Sequence, residues 1–341
     1  MVFAIGQVRK AVSITEDQNA NTVYSFYQEA ENSLDGIYIG SSGANRYWIP
    51  ARAYEMEGMC VYNLGTTLQP LIATRYLIED ALKTQPDVKF IVVEVRNGAR
   101  GINYLSEDLF KAVSDAMPHS DTRTEMIENY LEKSKLSDAE INYDSEQYEY
   151  PATRDDWAWV EEYDLEEVRA AYDEEYRSED KGFMMNFKVD ELEDPGEFLE
   201  TEPLVDQRKV VLDELLDYCK TIEPEVIFVS APYEDNYELE GKIKWIMEYC
   251  ADAGFKTMDF NCNPLQDDVN MDWSVDFSDF KHTNTYGAMR YTEYMTKYLA
   301  ENYKLPDHRG EEGYESWDDA VKHLHEELEA HPKPDSKKVE N

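Results

Sequence analysis

The sequence predicts an α/β fold: a three-layer, doubly wound sheet of about five parallel strands with helices on both faces. Three observations lead there. Short apolar runs end in glycine or a polar residue, as strands buried on both faces do. Amphipathic stretches of helical length separate them. The alternation of strand and helix runs through the first part of the chain, stops, and resumes near the end.

Taken in order, Gly36-Ile-Tyr-Ile-Gly40 reads as a buried strand closed by glycine. Trp48 to Gly58 reads as a helix with a C-terminal glycine. Residues 59–64 (Met-Cys-Val-Tyr-Asn-Leu) form a second strand, ended by Gly65. Pro70 opens a helix to about Lys83, because proline suits a first helical turn. Lys89 to Val95 is a third strand. Residues 105–200 contain helical stretches but no buried strand. The rhythm returns with a helix over 205–221, a strand at 225–230 (Glu-Val-Ile-Phe-Val-Ser), a helix over 239–253, a strand at 256–260 and a helix over 285–301. An amphipathic helix at 317–330 and a Pro/Lys-rich tail follow. The domain reading is a discontinuous α/β core (20–104 and 203–304), an acidic, mostly helical insertion (105–202), and a C-terminal helix with a polar tail (305–341).

Composition bounds the function. The 341 residues carry 33 Lys+Arg against 73 Asp+Glu, a net charge of −40. Residues 131–200 alone hold 24 acids and 7 bases, a net of −17. A broad basic face for nucleic acid is excluded, and adhesion to anionic lipid is unfavourable. With 25 Tyr, 12 Phe and 6 Trp the chain is not a solvated coil. No run of about 18 apolar residues exists to span a membrane. Met1 to Gly6 is apolar but too short for a signal-peptide core; it reads either as the end of an anchor helix or as a plain apolar terminus. The four cysteines (Cys60, Cys219, Cys250, Cys262) form no C-x-x-C pair, so they predict neither zinc nor a compartment. His323 and His325, two apart on a helix, face different ways and predict no metal. Tyr148, Tyr150, Trp157 and Trp159 are either stacking platforms for sugar or the small core of the insertion. Asp155-Asp156 and Glu161-Glu162 read as solvated faces, without the ordered loop of a calcium site.

In doubly wound sheets, ligands bind beyond the carboxyl ends of the strands. Beyond the first predicted strand stands Gly40-Ser41-Ser42-Gly43, where small neighbours let a serine hydroxyl approach a substrate. The spacing is not the G-x-S-x-G elbow, since Ala44 stands at the last glycine. Beyond the last strand stands Asp279-Phe280-Lys281-His282, followed by Asn284 and Gly287. An acid three residues before a histidine can hold one ring nitrogen and leave the other free as a base; the plain alternative is a local cap. Parallel topology brings both segments to one edge of the sheet.

These segments, with Tyr62-Asn-Leu-Gly65 and Gln69-Pro70, resemble the SGNH/GDSL hydrolases. Within that family they are closest to bacterial SGNH-like proteins related to cell-envelope acyl-transfer accessory proteins. The matching stretches span the core and leave the insertion uncovered. The resemblance implies Ser42 as nucleophile, His282 as general base and Asp279 as its orienter. It implies oxyanion donors at Ser42 and Gly65. The family's Gly-x-Asn-Asp block after the third strand is here Glu94-Val95-Arg96-Asn97-Gly98, so Asn97 takes the donor's place or Arg96 neutralises the substrate. Gln69 is a further substrate-binding candidate. Ser41 replaces the Asp of the first block. The implied function is a serine esterase or O-acyltransferase on O-acyl esters of cell-envelope carbohydrate, needing no metal and no organic cofactor. The rival is a non-catalytic accessory protein that binds a membrane acyltransferase or a glycan. The implied location is extracytoplasmic or at the cell surface, with the cytoplasm left open.

Overall fold

Alternating apolar side chains along each strand divide the core into two layers. A computed structural model describes residues 18–100, 107–135, 178–233 and 237–334. The chain runs α1 (Gln18–Phe26), β1 (Gly36–Ile39), α2 (Ser42–Asn45), α3 (Pro50–Glu57), β2 (Val61–Asn63), α4 (Leu71–Thr84) and β3 (Phe90–Glu94). A 3-10 turn (Arg96–Ala99) leads to α5 (Glu107–Ala116) and α6 (Asp121–Lys135). Then come α7 (Gln207–Cys219), β4 (Glu225–Ser230), α8 (Tyr237–Asp252), β5 (Lys256–Asp259) and α9 (Leu265–Val269). A small hairpin, β6 (Phe277–Asp279) and β7 (His282–Thr283), precedes α10 (Thr285–Asn302) and α11 (Glu315–Ala330).

The five strands β1 to β5 form one all-parallel sheet in the order β2-β1-β3-β4-β5, as the sequence predicts. Ile37, Ile39, Ile91, Val93, Val226 and Phe228 face one layer, with α1 and α4 to α8. Tyr38, Phe90, Val92, Ile227, Val229 and Met258 face the other, with α9 and α10. The strands are buried on both faces, which is why their sequences are continuously apolar. The chain steps from β1 outward to β2 and then back across to β3. The topological switch point therefore lies between β1 and β3, where such sheets open a crevice.

Caps set the ends of the elements that matter. Gly58 ends α3 in the left-handed conformation (φ 70°). Asn284 starts α10 by accepting a hydrogen bond from the Gly287 N–H.

The described part of the acidic stretch packs onto the sheet's helices. Phe110 and Val113 of α5, and Met126 and Tyr130 of α6, belong to the same apolar cluster as Val23 and Ile37. Residues 178–204 contain no helix or strand. They run as a strap over the surface, which explains the absence of any periodic pattern in their sequence. The four insertion aromatics and the paired acids named above, the first six residues of the chain and its last seven lie outside the described residues. Cys60, Cys219 and Cys250 are buried, and all four cysteines are free thiols. His323 pairs with Asp180 and His325 with Glu55. Among the described residues, no helix is long and apolar enough to cross a membrane.

Candidate active site

Two short elements at the carboxyl edge of the sheet carry the site. Gly40, directly after β1, has φ +153°, and a Cβ there would lie 2.7 Å from the Glu94 backbone oxygen. Only glycine fits. The chain turns sharply and starts α2 at Ser42, where the Ala44 and Asn45 N–H groups donate to the Ser41 carbonyl. On the other side, the β6–β7 hairpin turns through Phe280 and Lys281, so Asp279 and His282 stand opposite each other in register.

The three side chains meet. Ser42 Oγ lies 2.8 Å from His282 Nε2. His282 Nδ1 lies 3.0 Å from each carboxylate oxygen of Asp279. The Lys281 N–H also donates to Asp279 Oδ1 at 2.8 Å, which fixes that carboxylate. Burial pushes the His282 pKa below its usual 6.5, with Arg96 and Arg46 adding to the effect and the Asp279 hydrogen bond opposing it. Burial raises the Asp279 carboxyl, but the His282 hydrogen bond and charge outweigh it, so its pKa lies below the usual 3.8. His282 is thereby held neutral near pH 7 and Asp279 ionised, the state a base and its orienter require.

Ser42 and His282 open onto a cavity of about 360 Å³, also lined by Arg96, Asn97, Tyr233 and Lys281. Asn97 donates one amide N–H to the Gln69 carbonyl at 2.5 Å; an amide carries a second.

A residue the sequence reading passed over organises this wall. The Glu94 carboxylate is fully buried. It accepts from Ser41 Oγ (3.0 Å), from the Arg96 backbone N–H (3.1 Å) and from Arg96 Nε (2.8 Å). Arg96 lies between the rings of Tyr47 and Tyr233, 5.0 and 4.9 Å from their centroids, and its Nη1 donates to the Lys281 carbonyl. Burial opposes the Arg96 charge, but Tyr47, Glu94 and Tyr233 raise its pKa above the ordinary guanidinium value. A Cβ on Gly43 would fall 2.3 Å from the Glu94 carboxyl carbon and 2.5 Å from Arg96 Nη2, so α2 approaches the pair as only glycine allows. The signal in the sequence was an acid in an otherwise apolar strand, two residues before an arginine.

Two of the candidate residues stand away from the cavity wall. The Gly65 N–H donates to Asn63 Oδ1, and Gly65 does not line the cavity. Its missing Cβ lets Ala44 and Asn45 of α2 pack close behind the serine. Gln69 is not at the cavity wall either. It is buried, and its amide is bonded to the Thr66 and Thr74 hydroxyls.

The strap joins the two halves of the site. The Met184 N–H donates to the Asn45 carbonyl, and Arg46 Nη1 donates to the Met184 and Met185 carbonyls. A few residues on, the Asp190 N–H donates to the Phe277 carbonyl and Lys188 Nζ to the Ser278 carbonyl.

No family model matches the sequence, and no curated protein matches it. Among solved structures the chain is similar to a gut microbial diltiazem-metabolizing enzyme, with 11% identity and a TM-score of 0.36. That match covers 80% of this chain and 47% of the other, so the chain spans about half the length of that enzyme.

Proposed function

We propose that the protein is a serine esterase or O-acyltransferase of the SGNH/GDSL type, working through an acyl-enzyme. The observation that carries this is the unbroken hydrogen-bonded series Ser42–His282–Asp279 at the mouth of a cavity, beside the switch point of the sheet. Ser42 Oγ attacks the ester carbonyl and its proton passes to His282 Nε2. Negative charge develops on the carbonyl oxygen. The Ser42 N–H and the second Asn97 amide N–H are its donors, in the roles that typically contribute about 10²–10³-fold each. The tetrahedral centre then collapses: the bond to the alcohol oxygen breaks, and His282 returns the proton to that oxygen. Water, or a sugar hydroxyl, gives its proton to His282 and attacks the acyl-enzyme; the bond between the acyl carbon and Ser42 Oγ then breaks, and His282 returns the proton to Oγ. Arg96, held by Glu94, places positive charge at the wall of the cavity.

The family resemblance supports O-acyl esters of cell-envelope carbohydrate as the substrate class, with action at the cell surface and a membrane acyltransferase as partner.

Labelling with a fluorophosphonate probe tests the reading. The wild type is expected to label covalently, and Ser42→Ala and His282→Ala are not. A folded wild type that stays unlabelled would remove the esterase reading and leave the accessory-protein one. The pH profile is a second check. The base must be neutral, and its pKa is lowered, so kcat/KM for a neutral ester is expected to fall on acidification with a midpoint below 6.5. A midpoint above 6.5 would show that His282 is not the titrating base.

A further inference from the structure

At the amino edge of the sheet, the end away from Ser42, an acid, a thiol and an imidazole converge. Asp35 directly precedes β1, Cys60 directly precedes β2, and His308 belongs to the segment between α10 and α11. A carboxylate oxygen of Asp35, the Cys60 Sγ and a ring nitrogen of His308 all lie within 4.8 Å of one another. All three residues are buried, Cys60 completely. Main-chain bonds hold them in place. The Asp35 N–H donates to the Cys60 carbonyl, and the Cys60 N–H donates to Asp35 Oδ2 at 2.8 Å. The His308 N–H donates to the Gly58 carbonyl, and the Tyr54 hydroxyl donates to the His308 carbonyl.

The side-chain polarity of this cluster is that of a ligand set. His308 Nδ1 lies 2.8 Å from Glu311 Oε2. A carboxylate only accepts, so Nδ1 carries the hydrogen and neutral His308 keeps its lone pair on Nε2. Nε2 faces Asp35 Oδ1 at 3.5 Å, longer than an N–H···O bond. Among the described residues, Cys60 Sγ has no hydrogen-bond partner. Lys181, whose charge also acts on Cys60, is taken up by Glu29 at 2.7 Å. Electron-rich atoms on three separate segments thus face a common point.

We propose that Asp35, Cys60 and His308 form a structural zinc site, with a carboxylate oxygen, Sγ and Nε2 as ligands and water in the fourth tetrahedral position. Mixed oxygen, nitrogen and sulfur donors suit zinc, whereas calcium and magnesium take oxygen. Tetrahedral ligand atoms stand roughly 3.3–3.8 Å apart, so the set contracts by about an ångström on binding. The Cys60 thiol gives its proton to water as the Zn–S bond forms. Glu311 orients the imidazole from behind. The ion pins the segment before α11 to the strands, next to the contact of Trp317 with Tyr54. This role is independent of the esterase reading, since the site lies at the other end of the strands from Ser42. Linear spacing hides it, because each ligand comes from a different part of the chain.

Cobalt is the coloured probe for the test. Full-length, chelator-treated protein titrated with Co²⁺ is expected to show a thiolate-to-cobalt charge-transfer band and tetrahedral d–d bands, saturating at about one ion per chain. Zinc is expected to bleach them, to release about one proton per ion and to raise Tm. Cys60→Ala is expected to lose the charge-transfer band, and His308→Ala to weaken cobalt affinity at least about hundredfold; Glu311→Gln is expected to cost about tenfold. Cys262→Ala is expected to keep every band. The surface acids of a chain of net charge −40 also bind cations, through oxygen alone. Weak octahedral bands without charge transfer are that result, and they overturn the proposal. So does a charge-transfer band that survives in Cys60→Ala. Should Cys60→Ala not fold, unchanged affinity in folded His308→Ala overturns it equally.

Discussion

Ser42→Ala is expected to lower kcat for ester hydrolysis by about 10⁶-fold, and His282→Ala by a similar factor. The two act as one unit, since the hydroxyl is a weak nucleophile until Nε2, 2.8 Å away, takes its proton. The double variant is therefore expected to be no worse than either single one. Asp279→Asn keeps the hairpin but presents the wrong hydrogen-bonding partner to Nδ1, and a loss of about 10⁴-fold is expected. Steady-state kinetics with an activated ester, beside circular dichroism to show that each variant folds, makes the measurement. Ser42 is partly exposed and its side chain packs no core, so the alanine variant keeps the fold. If Ser42→Ala retained activity within tenfold of wild type, the nucleophile would have to be sought elsewhere.

The second large effect belongs to Glu94. Glu94→Ala leaves the Arg96 guanidinium buried between two tyrosine rings with no carboxylate beside it. Removing one partner of a buried pair typically costs about 3–5 kcal/mol. The Ser41 hydroxyl loses its acceptor as well, and with it one tie of the turn that presents Ser42. The expected result is a lower urea midpoint at unchanged slope, together with a fall in kcat. Replacing both partners, Glu94→Gln with Arg96→Met, is expected to recover much of the stability, because neither charge is then stranded. Activity is not expected to return with it, since the cavity wall has lost its guanidinium. A Glu94→Ala midpoint equal to wild type would mean that the pair is not shielded from water.

Particular residues show what a linear reading can and cannot extract. The strands were legible because burial on both faces leaves an uninterrupted apolar run, as at Val226 to Val229. The helix that follows Pro70 and the helix that stops at Gly58 were legible because those residues act locally. The meeting of Ser42 with Asp279 and His282 could be anticipated from parallel topology, which brings every strand's end to one edge. The β6–β7 hairpin was not legible: its strands are three and two residues long, below any period. Gly65 is ambiguous in sequence because a glycine after a strand serves equally as a donor or as a gap, and here the Ala44 methyl lies where its Cβ would be. Glu94 was overlooked because its partners, Ser41 and Arg96, are fixed only once β1 and β3 lie side by side.

The strap over 183–192 has a consequence for anyone shortening this chain. The α2 turn and the β6–β7 hairpin lie more than two hundred residues apart in sequence, and the strap is tied to both by main-chain hydrogen bonds. It works as a jig that sets the gap between Ser42 and His282 from outside the pair. Trimming the acidic stretch down to its helices, by joining residue 135 to residue 204, would discard the jig with the ornament. Any miniature of this protein has to keep the segment from Ser178 to Phe198, however unremarkable its sequence looks.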